Sequence, residues 1–300
     1  MVEVENTPAS KMHDLNTRVS ILDESLFTGE QKQYRILCTV DPGFISIAAV
    51  DPAKNKFCGF EGFHLTKPLP DEQFAGKMDE IAAQSEILRK VEFSKVSVQF
   101  AGSRFTLIPA ALFKAEDAAQ YFYFNHRKRE GDVIHHEVVS GFDAVNVFAL
   151  PELLLSGLRK MFDKFSVHHH LTALAGAARL SSTRQESKSL FIHVHGSHLD
   201  LIAMEERKLL LANTYPLKSA EDGIYFVMMV CEQLALHPEK TSVIVCGEVD
   251  RETAFSKQLH KYLHRVTFSE RIRTAAFTYG FDTLPPHYYY AAFSHILCES

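Results

Sequence analysis

The sequence predicts an α/β protein made of two copies of one strand-strand-strand-helix-strand unit facing each other across a central cleft. Three observations carry that expectation. Apolar, β-branched runs separated by short turns occur in threes, once from Tyr34 and again from Leu190. Each triplet leads into an amphipathic helical stripe and then a further apolar strand. Between the two stands a segment, residues 181–188, without one apolar side chain. It sets the expected boundary, with a first half of residues 1–185 and a second of residues 186–300. The terminal helix belongs to the second half in sequence but is free to pack back on the first.

In the first half, residues 34–40 and 44–50 are strands joined by Asp41, Pro42 and Gly43, which is hairpin turn chemistry. A turn over residues 51–55 leads to a third strand, 57–65. Asp71 is placed as the cap of a helix whose apolar positions include Met78 and Ile81, and Val96, Val98 and Phe100 alternate as the next strand. A helix over 115–123 and strands over 133–139 and 144–149 follow. Pro151 opens a helix at the first-turn position that tolerates it, and a strand at 165–169 and a helix at 171–180 close the half.

The second half repeats the order. Strands over 190–195, 198–204 and 208–215 make another meander, Ser219 caps a helix with Asp222 three residues on, and 242–246 is the returning strand. A helix around Phe255 and Leu259, a short strand at 265–268 and an aromatic-rich terminal helix from Pro286 complete the chain.

Composition excludes several classes. A formal charge of −5 lacks the Lys and Arg excess that phosphate backbones require, so no nucleic acid is expected. No apolar stretch approaches the roughly 20 residues that cross a bilayer, and the N-terminus lacks a basic, apolar leader. A cytoplasmic protein without membrane insertion is the expectation. Five cysteines without C-x-x-C spacing read as reduced, packed thiols.

The strings VNVFALPELLLSGLRKMFDKF and LTALAGAAR resemble the equivalent stretch of pilus-assembly and cell-division ATPases of the actin-like, ribonuclease H-like fold. The strings NTYPLKSAEDGIYFVMMVCEQLAL and VIVCGEVDRE carry a closer resemblance, to a family of uncharacterised bacterial proteins with an actin-like ATPase fold. In active members of that fold, two hairpin turns hold the phosphates and an acidic residue on each side positions a metal ion. The resemblance therefore implies ATP and magnesium as the ligands of an intact site. It places Asp41, Gly43 and Ser46 at the first turn, Gly196 and Ser197 at the second, and Gly247 and Glu248 at the base-binding turn.

Each turn departs from the pattern. Pro42 offers no N–H and Phe44 is large; Val194 stands where the pattern has Asp; Gly247 is a lone glycine followed by an acid. The resemblance then implies an interaction or scaffold protein with degenerate ATPase motifs, no cofactor and an unidentified protein partner. An active or nucleotide-binding ATPase is the alternative, and Asp41–Gly43 as an ordinary tight turn is the plain structural reading.

Sixteen histidines suggest a rival site. His193 and His195 lie two apart on a strand and so share a face, with His198 across the turn and Asp200 beyond it, a donor set that suits a zinc-like ion. Half-exposed packing histidines fit the same pattern. Residues 168–170, three histidines in a row before a helix, read as a polar junction whose side chains diverge.

Overall fold

The computed structural model describes residues 15–27, 33–67, 70, 73–182 and 188–299, so the Asp71 cap lies outside the described residues. Strands β1 (Leu15–Leu22), β2 (Tyr34–Asp41), β3 (Phe44–Asp51) and β4 (Lys56–Leu65) come first, and α1 (Phe74–Gln84) and α2 (Glu86–Lys90) lead to β5 (Phe93–Phe100). Next come β6 (Phe105–Pro109), α3 (Ala118–Asn125), β7 (Asp132–Val138) and β8 (Ala144–Pro151). Helix α4 (Glu152–Met161), β9 (Ser166–His169) and α5 (His170–Ser181) follow.

Beyond them lie β10 (Lys188–His195), β11 (His198–Glu205), β12 (Lys208–Pro216), α6 (Ala220–Gln233) and β13 (Ser242–Gly247). The remaining elements are α7 (Ala254–Tyr262), β14 (Val266–Phe268), β15 (Ala276–Phe277) and α8 (Tyr290–Ser294).

The two large sheets share one topology. In the first the order is β4-β3-β2-β5-β9, in the second β12-β11-β10-β13-β14. In both, a meander of antiparallel strands is joined by a strand parallel to its first member, after a helix has crossed over. Short turns enforce the meanders and the intervening helices enforce the parallel return. Ser219 caps α6 as its sequence suggests, its hydroxyl accepting the Asp222 N–H at 3.1 Å.

Three additions lie outside the repeat. Strand β1 pairs with β4 along residues 59–65, and β15 continues that same edge at Lys56 and Phe57. Strands β6, β8 and β7 form a separate three-stranded sheet, with Phe122 of α3 buried against Val145 and Val147. No described helix is long and apolar enough to cross a membrane.

Two cores result. One lies within the second sheet and α6, around Leu190, Val227 and Val243. The larger spans both sheets and takes in Phe191, Ile202 and Cys246 together with α8. Phe293 of α8 stands 5.3 Å from Phe57 and 5.1 Å from Phe60, and Tyr290 stands 5.6 Å from Phe191. These ring contacts tie α8 to both sheets at once.

Candidate functional site

The ends of β2 and β10 meet, and their polar side chains close the gap between the sheets. Asp41 Oδ2 accepts a hydrogen bond from His195 Nδ1 at 3.1 Å. Strand alternation puts His193 on the same face as His195, and the register sets Asp200 of β11 directly opposite His193. His170 enters from the first turn of α5.

All three imidazoles converge on Asp200 Oδ2. His193 Nδ1 lies 2.8 Å away and His170 Nε2 3.1 Å away, both as hydrogen bonds. His195 Nε2 is also at 3.1 Å, but off the line of a hydrogen bond, so that contact is one of charge. The other oxygen, Oδ1, accepts from the Thr214 hydroxyl at 2.5 Å. Asp200 is wholly buried, so these partners are the reason it remains ionised.

The charges follow from the geometry. Burial pushes the Asp200 carboxyl upward, but electrostatic attraction to His170 and His195 and the hydrogen bonds from His170 and His193 together outweigh it and hold the group well below the carboxylate range. Burial opposes protonation of His195, yet Asp200 and then Asp41 raise it to about 10. It is an imidazolium held between two carboxylates. For His193 burial wins over the bond to Asp200 and the pKa falls to about 4, so this ring is neutral. Burial likewise lowers His198, whose ring stacks on His195 at 5.5 Å. Burial is the largest single effect on Asp41 and pushes it up, but the bond from His195 and the charge of that ring, with the Gly43 N–H bond, together bring it below its ordinary value.

The three turns line the same cavity through Asp41, Gly43, Gly196, Gly247 and Glu248. Ser46 and Ser197 do not line it. Ser46 is buried within β3, and the carbonyl of Ser197 accepts from the Leu217 N–H at 2.7 Å. The turns have few donors to offer. Pro42 lacks an N–H, and that of Gly43 donates to Asp41 Oδ1 at 2.8 Å. Gly247 donates to the His287 carbonyl at 2.8 Å and Glu248 to the Val194 carbonyl at 2.9 Å.

Aromatic rings occupy the remaining volume. Phe44 stacks on Tyr289 at 5.4 Å and tilts over His64 at 4.7 Å. The cavity left is about 70 Å³, far below the roughly 300–1,000 Å³ of a small-ligand pocket. Of the turn donors, those of Gly43, Gly247 and Glu248 are engaged by the chain itself, and the acid of the first turn is paired with His195, which leaves little there for ATP and magnesium.

Glu248 lies at the rim, its Oε2 3.8 Å from His64 Nδ1. Burial, reinforced by Asp41 and opposed by His195, pushes its carboxyl from 4.5 up to about 7. The folded state therefore keeps this proton to higher pH than the unfolded chain, and stability falls as pH rises between those two values. Glu248→Gln is expected to flatten that decline and to stabilise the protein at pH 8 by about 2 kcal/mol. Urea midpoints at pH 4.5 and pH 8 check this; equal wild-type and variant slopes would contradict it.

Residues 168–170 diverge, as their position before a helix suggests. His168 Nδ1 bonds Glu137 at 2.8 Å, His169 Nε2 bonds the Gly102 carbonyl at 3.0 Å, and His170 alone enters the cluster. Spacing within a run of three gives no sign of which ring turns inward. The docking of α5 against β11 decides it.

With this geometry in view, the likeness to known proteins is informative. A solved structure from Bacteroides thetaiotaomicron, described as having an actin-like ATPase fold and unknown function, is 23% identical. It superposes with a TM-score of 0.70 over 80% of this chain and 91% of its own. The PilM-PilN type IV pilus biogenesis complex is 13% identical, with a TM-score of 0.57 over 89% of this chain and 98% of the other. No curated protein matches the sequence. The fold is that of actin-like ATPases. Residues 23–266 match the family described as "Protein of unknown function (DUF3822)", and the chain belongs to that family.

Proposed function

We propose that this protein is a non-hydrolysing member of the actin-like fold that acts as an interaction or scaffold protein, its nucleotide-binding turns degenerate. One observation carries the proposal: His195 is held between Asp41 and Asp200, in the space between the first two turns where the fold's active members position a metal ion. An imidazolium there supplies the positive charge that a bound cation would bring. In this reading residues 1–185 and 186–300 are the two halves, and the Asp41–His195 pair joins them.

The partner is a protein. The PilM structure of this fold was solved in a complex with PilN, which supports partner binding as a use of the scaffold. On this chain Phe124 and Tyr279 are each 89% exposed, aromatic surface of the kind that interfaces cover.

A nucleotide-binding role is the second reading. Gly43, Gly196 and Gly247 favour it by facing one cavity. Calorimetry separates the two: with millimolar ATP and magnesium, no saturable heat is expected for wild type or for Asp41→Ala. Saturable, magnesium-dependent binding that Asp41→Ala weakens would overturn the proposal.

A further inference from the structure

We propose that His170, His195 and Asp200 form a binding site for one divalent transition-metal ion of the zinc class. The donors come from three elements, α5, β10 and β11, and their ligand atoms all lie within 4.8 Å of one another. Zinc-ligand bonds of about 2.0–2.1 Å at tetrahedral angles set ligand atoms roughly 3.3 Å apart. His170 Nε2 and His195 Nε2 already stand 3.1 Å from Asp200 Oδ2. Two edges of the ligand triangle are thus close to metal-site spacing, and the third lies within 4.8 Å.

The surroundings are those of a metal site and not merely of a polar core. Asp41 holds His195 Nδ1 at 3.1 Å, which turns Nε2 inward in a carboxylate-histidine-metal arrangement. Thr214 occupies Asp200 Oδ1 and leaves Oδ2 to face the imidazoles. His195 Nε2 is buried and makes no hydrogen bond, only its off-line 3.1 Å contact with Asp200 Oδ2, where the ligands converge. The cavity beside His170, His193 and His195 leaves an open side for water or an external ligand.

Two imidazoles and one carboxylate select against magnesium, which prefers oxygen, and for zinc, cobalt or nickel. Of the histidines singled out by sequence, His195 is a ligand, His193 braces Asp200 at 2.8 Å, and His198 lies outside the ligand group. Metal binding displaces the proton that His195 Nε2 carries in the metal-free protein, so the imidazolium and the metal-bound imidazole are alternative states of one ring. The site stands whether or not the protein binds a partner.

Cobalt(II) reports it directly. Full-length, tag-free protein stripped with a chelator is titrated with Co²⁺, followed by Zn²⁺. One equivalent of Co²⁺ with the visible bands of a tetrahedral site, bleached by one equivalent of Zn²⁺, is expected. His170→Ala and His195→Ala are expected to abolish the bands, and His198→Ala to leave them. Should either alanine variant fail to fold, Asp41→Asn keeps all three ligands and is expected to weaken affinity roughly 10–100-fold. Absence of visible bands in folded wild type, bands that survive both alanine variants, or unchanged affinity in Asp41→Asn would overturn the proposal.

Discussion

Asp200→Ala is expected to destabilise the protein by about 3–5 kcal/mol, the cost of breaking a fully buried charge network from one side. Asp200 has no exposed surface and receives bonds from His170, His193 and Thr214, together with the charge of His195. Alanine removes the acceptor that buried His170 and His193 share and leaves His195 with only one of its two counter-ions. The polar cluster loses its centre, while the apolar cores on either side are untouched. Asp200→Asn keeps the shape and one acceptor oxygen, so its loss is expected to be smaller, about half. Urea unfolding near neutral pH measures both. A loss below about 1 kcal/mol for the alanine variant would mean that the cluster is not held by this carboxylate.

Gly247→Ala is expected to cost about 3 kcal/mol or more, for a different reason. Gly247 has φ +94°, a conformation costly to side chains, and an added Cβ would lie 2.0 Å from the Val194 carbonyl oxygen. That carbonyl belongs to the adjacent strand and accepts the Glu248 N–H, so it cannot retreat without losing the bond. Gly196→Ala is the control. At φ +51° with nothing within 4 Å, it carries only the backbone cost, about 1–2 kcal/mol. Similar midpoints for the two variants would show that close approach at Gly247 is not what fixes this turn.

Much of the fold was legible because turn chemistry and side-chain alternation are local. Asp41-Pro42-Gly43 and Gly196-Ser197 mark the hairpins, and the strands they join pair as sequence suggests, residue 41 with 44 and 195 with 198. Strand β1 was not legible. It carries Arg18 and Ser20 among its apolar residues and becomes a strand only by pairing with β4, with Arg18 bonding buried Glu61 at 2.5 Å. Strand β6 was missed as well, being five residues that end in a proline and find β8 some forty positions on. Neither partner is visible to a local pattern.

The candidate site divides the same way. Motif positions placed Asp41, Gly43, Gly196, Gly247 and Glu248, and these five do line one cavity. What fills that cavity was set by long-range contacts. His195 reaches Asp41 across 154 residues and Tyr289 reaches His64 across 225, so no spacing rule signals that the cleft is filled. His170 is the clearest case, since its role depends on how a helix docks.

A crystal structure grown with a non-hydrolysable ATP analogue and millimolar magnesium bears most directly on the claim that the cleft is closed by its own side chains. The expected result is His195 still between Asp41 and Asp200, Phe44 still against Tyr289, and no nucleotide in the cleft. Phosphates seated against Gly43 and Gly196, with His195 swung out and magnesium beside Asp41, would contradict it.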